Sequence, residues 1–135
     1  MNVTAAGPAD FTWLIEATQC ALTPGARAIK ATDAAGKVRG MVAYDWWTES
    51  ACYAHMAVDT PVAWRSLVRP AFMYPFVECD RRKLLALIPS HNTKSWGLAK
   101  HFGFTVVHAI RDGWAVGDDL LLLEMRREDC RFLRS

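Results

Sequence analysis

Nothing in this sequence is apolar for long enough to cross a bilayer: runs such as 84–88 (LLALI) and 120–123 (LLLL) fall far short of the roughly 20 residues a spanning helix needs. The opening "MNVTAAGPAD" lacks the basic and apolar regions of a signal peptide, so a cytoplasmic protein with no membrane partner is expected. Charge of one sign is scarce too. Sixteen Lys and Arg against 14 Asp and Glu leave a net charge of only +2, scattered along the chain, which argues against a nucleic-acid-binding surface. Cysteine is limited to Cys20, Cys52, Cys79 and Cys130, widely spaced and without a CxxC pair, so neither a metal site nor a disulfide framework is indicated. Low-complexity segments and internal repeats are also missing. What is present is a 52% hydrophobic chain of 135 residues, the size and composition of one folded domain spanning 1–135.

The hydrophobic periodicity divides that domain. After a flexible "TAAGP", residues 9–22 carry Phe11, Leu14, Ile15, Thr18 and Leu22 at helical spacing, and "TPG" at 23–25 stops the helix. Residues 26–47 read as two strands around an "AAGK" turn, and "ACYAHMAVD" at 51–59 as a third strand. Thr60 and Pro61 then open a helix whose apolar face is Trp64, Leu67, Val68, Ala71 and Phe72. Pro70 and Pro75 are expected to kink or split it, since each removes a donor and crowds the carbonyl four residues back. "RRKLLALI" at 81–88 lacks polar alternation and reads as a central strand covered on both faces. "TVVHAIRD" and "DLLLLEM" supply a last pair of strands, joined by a loop containing Gly113 and Gly117. The sum is an α/β protein with a mixed, twisted β-sheet flanked by helices.

Between the buried strand and the last pair lies "HNTKSWGLAKHFGF", a helix led by Asn92 and closed by aromatic, glycine, aromatic. This segment and the order of elements around it resemble the GCN5-related N-acetyltransferase (GNAT) family. "PAFMYPFVECDRRKLLALIPSHNTKSWGLAKHFGF" followed by "GDDLLLLEMRREDCRFL" looks like a bacterial and phage branch related in style to the enzymes that modify ribosomal proteins. The resemblance spans about residues 27–133. It implies a GNAT-like fold whose central parallel strands, here 51–59 and 83–90, splay apart, and an acetyl-CoA-dependent transfer of an acetyl group to an amine of a protein or small molecule. The coenzyme's pantetheine arm would enter the splay along the backbone of Met56, Ala57 and Val58. The alternative is a non-catalytic binding or assembly module on the same fold.

That alternative is motivated by two departures from the family pattern. The glycine-rich phosphate loop is replaced by "TPVAWRSLVR", leaving a helix N-terminus at Thr60 with Arg65, Ser66 and Arg69 as the coenzyme's candidate partners, or as plain surface residues. Trp64 reads as core or as a ligand contact. The family's tyrosine acid, four residues before the helix-ending glycine, is Ala99 here, and His101 lies about 200° round the helix from it. Ser95 shares the face of Ala99 and is the substitute donor. Asn92 matches a coenzyme-contacting asparagine and equally reads as a helix cap. For the base, His55 has an imidazole that titrates near neutrality, with Glu49 and Asp45 as candidates acting through water or on a cationic acceptor. Trp13, Trp46, Trp47 and Trp114 line an acceptor cleft or fill the core, and exposed aromatics in "YDWW" suggest a homodimer contact.

Overall fold

In the computed structural model, which describes residues 1–134, seven strands pair into one sheet. They are β1 (Asn2–Ala6), β2 (Arg27–Thr32), β3 (Val38–Asp45), β4 (Ala51–Val58), β5 (Lys83–Pro89), β6 (Thr105–Ala115) and β7 (Asp118–Arg126). Their spatial order is β1-β2-β3-β4-β5-β7-β6, with β4 and β5 parallel and every other pair antiparallel. Three helices of eight residues or more cover it: α1 (Phe11–Thr18), α2 (Pro61–Met73) and α3 (Thr93–Phe102). None is long and apolar enough to cross a membrane.

The single parallel pair follows from connectivity, because a parallel neighbour requires a crossover and α2 supplies it. Alternation along the strands sorts the core onto two faces. Val42, Tyr44, Cys52, Ala54, Leu84 and Leu123 meet Phe72 and Phe76 under α2, while Ala28, Met41 and Ala43 meet Leu14 of α1. Gly40 permits α2 to lie close on β3, where a Cβ would come within 2.8 Å of Leu67 and 2.9 Å of Val58. The four cysteines are free thiols.

Five expectations need correction. The flexible N-terminus is a strand, because its backbone groups find a full ladder on β2, with Asn2 opposite Thr32 and Ala6 opposite Ala28. The first helix stops at Thr18 rather than at residue 22: Gln19 adopts a left-handed conformation (φ 61°) and returns its N–H to the Ile15 carbonyl. Pro70 does not split α2, which runs on to Met73; the split comes around Pro75, where the residues Tyr74–Glu78 form a π turn closed by Cys79 N–H on the Tyr74 carbonyl. β5 has Leu84 and Ala86 buried but Leu85 and Leu87 half-buried, since α1 is short and covers β3 and β4. β6 extends through Gly113 to Ala115 by means of a bulge at Asp112 (φ 54°).

Of Trp13, Trp46, Trp47 and Trp114, two pack against the core and two, Trp46 and Trp114, are exposed. Trp47 packs against Tyr44 and Tyr74, and Trp13 packs beside Leu14. Of "YDWW" only Trp46 is strongly exposed, because Tyr44 and Asp45 are fully buried. Exposed apolar side chains gather instead on the edge strand β6: Val106, Val107, Ile110 and Trp114.

Candidate active site

β4 pairs with β3 along Tyr53–Val58, from Val58 opposite Gly40 to Tyr53 opposite Asp45. With β5 it pairs only from Ala51–Lys83 to Tyr53–Leu85. β5 then follows β7, which it matches residue for residue as far as Pro89 opposite Leu120. Beyond Tyr53 the β5-facing edge of β4 therefore has no ladder partner, and alternate residues point their N–H and C=O groups into the opening. A small cavity of about 50 Å³ lies there, lined by Met56, Ala57, Val58, Trp64 and Leu98.

His55 stands where the opening begins, on the α1 side of the sheet. Its Nε2 is buried and has no hydrogen-bond partner. Burial pushes the imidazole below its ordinary value, and the Asp45 carboxylate only partly opposes this, so His55 is a neutral base near pH 7. Asp45 itself is spoken for. Burial raises its carboxyl, but Thr23 outweighs that with its N–H and hydroxyl, both 2.6 Å away, together with the Trp46 N–H at 2.9 Å, and the net shift is downward. Asp45 thus pins the loop after α1 and supplies charge near His55 without being free to take a proton.

Asn92 caps α3: its Oδ1 accepts from Ser95 N–H at 3.2 Å. At the other end Gly103 takes φ 114°, a conformation that glycine adopts without strain, and Phe104 N–H returns to the Ala99 carbonyl at 3.0 Å. The helix between the asparagine and the aromatic-glycine-aromatic segment is therefore a stop-to-stop element that carries the chain from β5 back to β6. Ser95 is half-buried, one turn before both Leu98 and Ala99, on the face that includes the cavity wall. His101 is exposed in the last turn, its carbonyl held by Arg131 at 2.9 Å.

The remaining candidates are scattered. Glu49 is exposed in the turn before β4, at the closed end of the parallel pair, and the structure does not bring it to His55. Arg65 and Arg69 are exposed on α2, Arg69 reaching the Arg134 carbonyl at 3.3 Å; Ser66 donates to the Val62 carbonyl within the helix. Trp64 packs on Phe102 with ring centroids 4.8 Å apart.

Two features were missed. Ser90 and His91 both engage Asp118, through Ser90 Oγ to Oδ1 at 2.8 Å and His91 Nδ1 to Oδ2, so the β6–β7 hairpin is tied to the turn that presents Asn92. The 27-residue separation of His91 and Asp118 left no local signal. The other is the indole of Trp64, whose Nε1 is buried without a partner; helical spacing located the ring but says nothing about where an acceptor lies.

The sequence matches no protein-family model and no curated protein. Its fold, however, has close counterparts among solved structures. The spermidine/spermine N-acetyltransferase SpeG of Vibrio cholerae, solved with manganese ions, superposes with a TM-score of 0.75 at 13% identity, covering 94% of this chain and 92% of that one. The spermidine N-acetyltransferase of the same organism in complex with CoA and spermine gives a TM-score of 0.78 at 12% identity, with 98% of both chains covered. The chain has the GNAT fold. At this identity the likeness concerns the path of the backbone.

Proposed function

We propose that this protein is an acetyl-CoA-dependent N-acetyltransferase acting on a primary or secondary amine. The observation that carries it is the opening beside β4, an unpaired strand edge that begins after Tyr53 and whose stretch of strand includes His55, with its unpartnered Nε2. The superposed enzyme bound to CoA and spermine supports the same reading of the cleft.

The residues present fit the pantetheine arm of the coenzyme: Met56, Ala57 and Val58 can hold an amide-bearing chain in the manner of a neighbouring strand. The phosphate end is served differently from a glycine loop, since Pro61 at the start of α2 has no N–H to offer, and the exposed Arg65 supplies charge instead. When bound, acetyl-CoA supplies an activated acetyl thioester. His55 Nε2 takes the proton that the acceptor nitrogen gives up as it acquires the acetyl group. The unpaired N–H groups of β4 offer hydrogen bonds to a carbonyl oxygen gaining negative charge. Ser95, one turn before Ala99, is the hydroxyl placed to hydrogen bond the departing sulfur.

The acceptor class is an amine of a small polyamine or of a protein; the C-terminal "GDDLLLLEMRREDCRFL" keeps the ribosomal-protein branch as the finer expectation. Calorimetry with acetyl-CoA, followed by thiol release with spermine and with a lysine-bearing or N-terminal peptide, decides this. Binding of the coenzyme with release on one acceptor is the expected result. Millimolar acetyl-CoA without any thermal shift, and without chemical-shift changes in residues 56–67 or 90–99, would leave the non-catalytic binding module in its place.

A further inference from the structure

Resting on the coenzyme-binding function proposed above, we infer that the indole N–H of Trp64 donates a hydrogen bond to a carbonyl of the pantetheine arm. Two observations converge on it. First, Trp64 Nε1 is buried and meets no acceptor within the protein. A buried donor left unpaired is costly, so an indole in such a position is normally matched by a partner. Second, the ring lines the cavity whose opposite wall is the unpaired edge of β4 at Met56–Val58. An occupant that completes the strand edge lies against the same side chain.

The chemistry selects the ligand class. An indole offers one donor and no acceptor, so it recognises a carbonyl or another neutral or anionic oxygen, and it discriminates against an ammonium group. The cavity is lined by Met56, Ala57, Val58 and Leu98 besides Trp64 and carries no charged side chain, which suits a neutral amide rather than a phosphate. Packing on Phe102 holds the ring in place, so the donor is fixed before the ligand arrives and little freedom is lost on binding.

The test is Trp64→Phe in the full chain, which keeps an aromatic ring on Phe102 and deletes the donor. In the free protein the melting temperature is expected to stay the same or rise, since an unpaired buried N–H has been removed. CoA affinity measured by calorimetry is expected to fall about five- to tenfold, the worth of one neutral hydrogen bond. Affinity for 3′,5′-ADP, which lacks the pantetheine, is expected to be unchanged. The indole Hε1 resonance of Trp64 in the wild type provides a second readout: it moves with CoA and not with 3′,5′-ADP. Wild-type binding with undiminished affinity in Trp64→Phe, or a Trp64 indole resonance indifferent to CoA, overturns this inference alone. Equal loss of both ligands assigns Trp64 a packing role and overturns it as well. Failure of the wild type to bind CoA overturns the coenzyme-binding function and this inference with it.

Discussion

β4 has two halves that the fold treats differently. From Ala51 to Tyr53 it pairs with β5, Tyr53 being laddered to β3 as well, and Cys52 is fully buried among the side chains beneath α2. From His55 to Val58 it keeps one partner strand, its side chains are only partly buried, and it borders a small cavity. Buried backbone groups are nearly always paired, so a strand that surrenders half its ladder does so at a stability cost. The closed half therefore supports the fold and the open half is free to bind. Substitutions in the two halves should separate accordingly, stability responding in one and chemistry in the other.

The closed half should give the largest loss. Leu84 is fully buried on β5 opposite Cys52, and Leu84→Ala is expected to lower unfolding free energy by about 2–5 kcal/mol in urea denaturation. At the junction, Asp45→Ala leaves Thr23 N–H without its acceptor and is expected to cost about 2–3 kcal/mol. Because the folded-state Asp45 carboxyl is held below its ordinary value of 3.8, its contribution is complete above that pH and is lost as pH falls through the folded-state value. Acid unfolding of Asp45→Ala should accordingly be flatter than that of the wild type. A variant as stable as the wild type would mean that the loop after α1 is not pinned there.

In the open half, His55→Gln should reduce turnover about a hundredfold while CoA affinity stays nearly unchanged. His55 has a folded-state value below 6.5, so the unfolded chain binds more protons between the two values. Wild-type stability must then decline as pH drops below about 6.5, and His55→Gln should lack that slope. Loss of affinity and stability in equal measure would make the residue part of the core. Ala99→Tyr offers a smaller gain-of-function counterpart: a faster transfer reports that proton donation to the leaving sulfur limits the wild type, and an unchanged rate directs attention to Ser95.

How far this division could be seen in the sequence depends on the reach of each interaction. The hairpin of β2 and β3, β4, the helix opened by Thr60 and Pro61, and the helix from Asn92 to Gly103 were legible because alternation, caps and turn residues are local. β1 was not, because its pairing comes from β2, some 25 residues away. Pro70 misled because one lost backbone bond is affordable in a helix packed through Ala63, Leu67, Ala71 and Phe72. The splay itself was reached only through the family resemblance, since it depends on where the β4–β5 ladder stops, at Tyr53 opposite Leu85, while β5 keeps its full ladder with β7 on the other edge. His55 could be singled out by residue type, but its bare Nε2 and the unpaired indole of Trp64 depend on where every other polar group falls.

Asn92 gives the smallest and most selective comparison, because one side chain serves both the fold and the proposed coenzyme site. Its Oδ1 holds Ser95 N–H, so Asn92→Ala should cost about 1 kcal/mol of stability, comparable to other lost helix caps. Asn92→Asp keeps the acceptor and adds negative charge at a helix N-terminus, which the helix dipole favours. Stability should then be retained or slightly raised. The same carboxylate repels an anionic coenzyme, so CoA affinity should fall even as the melting temperature holds. If Asn92 acts only as a cap, Asp binds CoA as well as Asn does, and only Ala changes anything. A loss of affinity in Asp that diminishes in high salt identifies the cause as charge, whereas a salt-independent loss points to a hydrogen bond from the Asn92 amide nitrogen, a group the carboxylate cannot replace.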